Sequence, residues 1–129
     1  MHPKINIFGK NAAFHHLGLV VENIIKLVPD ASIITDPLQK VRLSFVELNG
    51  VCLELLEPTG CDSPVFKSLQ SGKKLVHICY SVDNIETAIG DCRPHGFHCI
   101  AQPVMAAAFN KKIAWVYHPQ YGLIELLEA

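Results

Sequence analysis

The sequence predicts an α+β fold: a single domain over residues 1–129, built from two βαβββ modules at about 12–72 and 73–129. Three observations carry this reading. The chain repeats itself: His16-Leu17-Gly18-Leu19-Val20-Val21-Glu22-Asn23-Ile24 reads against His77-Ile78-Cys79-Tyr80-Ser81-Val82-Asp83-Asn84-Ile85. Later, Leu53-Glu54-Leu55-Leu56-Glu57 reads against Ile124-Glu125-Leu126-Leu127-Glu128. A phrase that recurs in order marks a structural unit that recurs. Most apolar segments are short, rich in Val, Ile and Leu, and bounded by turn residues, as strands are. Each copy of the first phrase runs into a stretch with helix-start signals, so one helix covers one face of a mostly antiparallel sheet in each half.

The elements follow in order. Residues 14–21 read as a strand. Residues 23–28 read as a short helix started by Glu22-Asn23 and stopped by Pro29. Residues 32–35 are a weak strand before the Asp36-Pro37 turn. Residues 41–48 and 51–57 are strands joined by Asn49-Gly50, both of which tolerate positive φ. After a loop over 58–62, Ser63 as N-cap and Pro64 at the first position start a helix through residue 70. Residues 71–74 link the modules. The second module runs as strand 75–82, helix 83–92, a stop at 93–96, and strands 97–101, 112–117 and 122–127, with a hairpin turn at 118–121. The stretch 22–40 is much shorter than its counterpart 83–112, so the first module has a reduced helix and second strand.

Composition excludes several classes. Half of the residues are hydrophobic and the net charge is −1, which fits a packed core and excludes a disordered chain. Lys and Arg do not cluster, so no nucleic-acid partner is expected. No run approaches the ~18 apolar residues of a spanning helix, and no signal peptide is read, so no membrane partner is expected either. The five cysteines are odd in number and lack C-x-x-C spacing. Free thiols in a reducing cytoplasm are the expectation.

Chemistry enters through strand parity. Side chains alternate faces along a strand. His16, Gly18 and Val20 share one face, and Leu17, Leu19 and Val21 the other. In the copy, His77, Cys79 and Ser81 oppose Ile78, Tyr80 and Val82. The purely apolar sets suit the underside of a helix, which leaves both histidines on the open face. By the same alternation Glu54 sits with Cys52 and Leu56, and Glu125 with Leu123 and Leu127. Carboxylates in apolar strands are costly to bury unpaired. A cation relieves both, so His16, Glu54, His77 and Glu125 are the candidate ligands of one divalent metal ion. Zn, Co, Mn, Ni and Fe all accept two imidazoles and two carboxylates. Each residue alone is as easily a hydrogen-bonded core His or a solvated Glu. Their matched places in a repeat favour the joint reading.

These residues carry a resemblance. The His-x-Gly strand, Leu53-Glu54-Leu55-Leu56-Glu57-Pro58, Asp62-Ser63-Pro64-Val65, Val76-His77-Ile78-Cys79, His118-Pro119 and Leu123-Ile124-Glu125-Leu126 resemble the vicinal oxygen chelate (glyoxalase/bleomycin resistance/dioxygenase) superfamily, and within it methylmalonyl-CoA epimerase-like proteins. The resemblance runs from about residue 14 to the end. It implies a glyoxalase-like fold whose sheets curl into a cup around one metal held by His16, Glu54, His77 and Glu125. It implies a metal-dependent epimerase or isomerase acting on a proton α to a carbonyl through a stabilised enolate, with Glu125 as the catalytic carboxylate. A second base is expected on a facing strand, where Leu43 stands, with Glu47 nearby. The implied partner is a small molecule, possibly an acyl thioester.

A glyoxalase-type lyase or a thiol transferase would share the ligand set. A non-catalytic small-molecule-binding module is the alternative from another class. Further residues have blander readings. His15 points away from His16; His95 and His98 lie at a surface; His118 belongs to a turn; Trp115 and Tyr117 either line a pocket or fill the core. The small-residue stretch 105–110 reads as a loop covering the site. The reduced first module, with a helix too short to cover its sheet, suggests a homodimer.

Overall fold

A computed structural model describes all of residues 1–129. Its elements are β1 (Ala13–Val20), α1 (Ile24–Leu27), β2 (Ile34–Asp36), β3 (Val41–Leu48), β4 (Val51–Pro58), α2 (Phe66–Gln70), β5 (Leu75–Val82), α3 (Ile85–Cys92), β6 (His98–Ala106), β7 (Lys111–His118) and β8 (Gly122–Glu128). A single 3-10 turn, Arg93–His95, follows α3. The chain divides into two compact units: His16–Ile78, and Met1–His15 with Cys79–Ala129. The division runs through β1 and β5. It also assigns the N-terminal residues, which the sequence reading left outside both modules, to the second unit.

Each unit carries the expected βαβββ plan. In the first unit the strands lie side by side in the order β2-β3-β4-β1, and in the second as β6-β7-β8-β5. β1 pairs parallel with β4, with Gly18 opposite Glu54, while the hairpins β3–β4 and β7–β8 are antiparallel. Asn49 and Gly50 both adopt positive φ, 49° and 90°, as the tight β3–β4 turn requires. The reduction of the first module is plain: α1 has 4 residues against 8 in α3, and β2 has 3 against 9 in β6.

The cores follow the alternation. In the first unit Ile24 of α1 packs on Leu53 and Leu55, with Leu17, Leu19 and Val21 around them. In the second, Ile85, Ala88 and Cys92 of α3 pack with Val82, Phe97, Val116, Ile124 and Leu126, and Phe8 from the N-terminal segment joins them. The helix faces are therefore the ones parity assigns.

The second repeated glutamate has a job that the sequence reading missed. Glu57 shares the helix face of β4, and its Oε1 accepts a hydrogen bond from Ile24 N at 2.9 Å, at the start of α1. Glu128 does the same for Ile85 N at 3.0 Å, at the start of α3. Asn23 and Asn84 cap the same helices through Lys26 N and Thr87 N. Each module thus holds its helix by an Asn from below and a Glu from its last strand, which satisfies donors that a helix start leaves open. Arg42 adds a 2.6 Å ion pair to Glu57. Glu57→Ala should cost about 1–3 kcal/mol of stability, because it strands a buried helix N–H. Chemical denaturation should place it well below Glu47→Ala, an exposed change expected within about 0.5 kcal/mol of the parent. Equal stabilities would refute the capping role.

Two local expectations are corrected. Ser63 does not cap α2: the helix starts at Phe66 with Val65 at the cap position, and no side chain bonds there. Ser63 is 5% exposed, with its Oγ lacking a hydrogen-bond partner. The 105–110 stretch is a loop only from residue 107: Met105 and Ala106 belong to a strand. β6 runs through Met105 to Ala106, and Ala106 O accepts from Phe109 N and Asn110 N in a tight turn. Asn110, at φ 52°, accommodates the left-handed backbone of that turn.

Candidate metal centre

The first unit brings three of the four expected ligands together. His16 on β1 and His77 on β5 place their Nε2 atoms 3.3 Å apart. Glu54 Oε1 on β4 lies 3.3 Å from each of them. His16 is 0% exposed, His77 4% and Glu54 6%. Three polar atoms are thus mutually equidistant in a buried place. Phe45, opposite Glu54 in the β3–β4 register, sets its ring edge-on to His16 at 5.2 Å.

Gly18 makes this arrangement possible. A Cβ on Gly18 would lie 2.2 Å from His77 Cε1, 2.4 Å from Nδ1 and 2.7 Å from Nε2. Its φ is not in the left-handed region, so close approach and not backbone freedom demands glycine. The His-x-Gly spacing is thereby explained: the first His is a member of the cluster, and the Gly two residues on opens space for the second.

The donor set fits a cation. Bonds of ~2.0–2.1 Å arranged tetrahedrally separate ligand atoms by ~3.3 Å, which matches the spacing of the trio. Two imidazoles and a carboxylate suit a first-row divalent ion. Along the same face of the β3–β4 hairpin run Leu43 opposite Leu56 and Glu47 opposite Cys52. Burial, then the charges of Glu54 and Glu47, push the Cys52 thiol above its usual range, so it stays protonated at neutral pH.

Glu125, the fourth candidate, lies in the second unit on β8 and is 4% exposed. It pairs with Trp115 of β7, as Glu54 pairs with Phe45 in the first unit. Trp115 is half-buried and packs against a cluster of Cys79, Ala106, Ile113 and Leu127, whereas Tyr117 is 44% exposed. His15 is half-buried, edge-on to Phe109 at 5.5 Å. His95 and His98 are exposed. His118 is the last residue of β7 and not part of the turn itself, which it braces by its Nδ1 accepting from Gln120 N and Tyr121 N. All five cysteines are free thiols. No helix is long and apolar enough to cross a membrane.

Residues 15–115 match the Glyoxalase/Bleomycin resistance protein/Dioxygenase superfamily, and the chain belongs to it. The fold is accordingly glyoxalase-like, as the repeat and its resemblance led one to expect. Human mitochondrial methylmalonyl-CoA epimerase is 32% identical over 126 residues, spanning 93% of this chain and 66% of that protein. The chain therefore spans slightly less than two thirds of that relative's length. A hypothetical protein from Bacillus halodurans C-125 superposes with a TM-score of 0.76 at 28% identity, over 93% of this chain and 96% of that one. A Streptomyces coelicolor methylmalonyl-CoA epimerase variant in complex with 2-nitronate-propionyl-CoA shares the fold, at a TM-score of 0.75 and 22% identity, over 90% and 96% of the two chains.

Proposed function

We propose that the protein is a metal-dependent epimerase or isomerase that moves a proton α to the carbonyl of a small acyl thioester. The observation that carries this reading is the buried His16–Glu54–His77 trio, with its 3.3 Å spacing between donors. Such a cluster in otherwise apolar strands is expensive unless a cation compensates it. The 32% identity to an epimerase supports the substrate class. One divalent ion, Zn, Co, Mn, Ni or Fe, would be held by His16, Glu54, His77 and Glu125. Glu125 is the counterpart of Glu54 by repeat and by its aromatic cross-strand partner. When bound, such an ion supplies a Lewis acid for the charge that grows on a carbonyl oxygen. Glu125 takes the α-proton as general base, and inversion requires a second group to deliver a proton to the opposite face of the enolate. Phe45 and Trp115 stand opposite Glu54 and Glu125 as cross-strand partners.

Leu43 favours a second reading. It is 3% exposed on the face that carries Glu54, opposite Leu56, and it can neither give nor take a proton. One carboxylate alone returns the proton to the face from which it came. That suits a glyoxalase-type lyase or isomerase, or a thiol transferase.

The test is hydrogen exchange into deuterated water across a panel of acyl thioesters and 2-oxo compounds, with metal content measured on protein purified without chelator. Stoichiometric metal with exchange and inversion supports the epimerase. Exchange with retention supports the second reading. A metal-free protein that binds small molecules and exchanges nothing would identify a non-catalytic binding module and end both.

We also place the protein in a reducing compartment, the cytoplasm, in keeping with its free thiols. A homodimer fits the reduced first module, where Ile25, Leu27, Ile33 and Leu38 around α1 and β2 are exposed.

A further inference from the structure

A cavity of the second unit shares no lining residue with the histidine cluster. It has a volume of about 550 Å³ and sits between the N-terminal segment and Tyr80, Phe97 and Tyr121. That volume is within the ~300–1000 Å³ range of small-molecule pockets. Tyr80 alternates with Cys79 along β5, so it faces the helix side and not the side that bears His77. Phe8 anchors the segment: it is 9% exposed, stacks on Tyr80 at 5.5 Å and meets Phe97 edge-on at 5.2 Å. Phe97 and Tyr121 are nearly parallel, 12° apart with centroids at 5.9 Å. Tyr121 is 52% exposed, which leaves ring surface open to a guest. The charged residues of the lining are both cations, Lys4 and Lys10.

We infer that this pocket binds a planar aromatic ligand carrying phosphate, a purine nucleotide in chemical class. Aromatic walls select a flat π-surface for stacking. Two lysines with no carboxylate among the lining residues select an anion, and a lysine ammonium meets phosphate as a point charge. An aliphatic anion would leave the aromatic surfaces unused, and a neutral ring would leave the lysines unused. The site is separate from the metal chemistry and stands or falls independently of it.

The experiment is calorimetric titration of the full-length, chelator-treated protein with adenosine diphosphate and, separately, adenosine. Amide shifts are mapped in parallel by NMR. The diphosphate should bind at least ~10-fold more tightly than adenosine, as charge-assisted contacts require. Reversing both cations, Lys4→Glu with Lys10→Glu, should remove that advantage while leaving the melting temperature unchanged, since both side chains are exposed. Tyr121→Ala should weaken both ligands. Shifts should gather at residues 4–10 and around Tyr121. No binding at millimolar diphosphate, equal affinity for adenosine, indifference to charge reversal or to Tyr121→Ala, or shifts gathered at His16 and Gly18, would each overturn the proposal.

Discussion

Gly18→Ala should abolish tight metal binding while the protein still folds. The added methyl falls inside the His77 ring, 2.2 Å from Cε1, so the imidazole must swing away from Glu54 and His16. Losing one aligned ligand, or its orientation, lowers metal affinity by about 10–100-fold or more. The strain of overpacking adds about 1–3 kcal/mol of lost stability. Thermal melts should separate the two effects. Metal at a hundred times its Kd stabilises the parent by about 2.7 kcal/mol. In a chain of this size that is a rise in Tm on the order of 10 °C. The variant should start lower and gain almost nothing from metal. Gly90→Ala is the matched control, because a Cβ there meets nothing within 4 Å and Gly90 lies in α3. It should be neutral or stabilising by up to about 1 kcal/mol. If Gly18→Ala takes up metal like the parent, His77 is not a ligand in the arrangement described.

Glu125→Gln should cost ~10²–10⁴ in turnover with little effect on folding. The amide is nearly isosteric, so the β7–β8 register, with Trp115 opposite residue 125, is preserved. What is lost is the charge that accepts a proton and balances a cation. Deuterium exchange at the α-carbon of a responsive thioester measures this directly. Glu57, equally conspicuous in the repeat, is not the inert control that its sequence position suggests, since it caps α1 and pairs with Arg42. Exposed Glu47 is the better comparison. Exchange by Glu125→Gln at the parental rate, in protein that still holds metal, would remove Glu125 from the role of base.

The division of labour between sequence and structure is instructive in particular residues. Repetition of two phrases was enough to read out both modules, because short amphipathic strands with period-two alternation leave only one way to bury their apolar faces. The parity of Glu54 against Glu57 followed from the same alternation. So did the His16–Gly18 spacing, though not its reason. Errors gathered where local signals compete. Ser63-Pro64 looks like a helix start, yet the helix begins three residues beyond Ser63 at Phe66. Residues 105–110 look like a loop throughout, yet pairing with β7 extends β6 through Ala106 and leaves only 107–110 as a turn.

The sequence by itself determined the fold family, the element order, the faces of the strands and the list of residue types able to hold a cation. Each depends on local periodicity or on repetition within the chain. Only the tertiary structure decided that His16, His77 and Glu54 meet at 3.3 Å, that Gly18 is empty because the His77 ring needs its space, that Glu57 and Glu128 cap helices, and that Phe8 builds an aromatic pocket from residues no repeat announces. These are distances between atoms far apart in the chain. They are set by strand pairing and side-chain packing, which alternation constrains to a face but not to a contact.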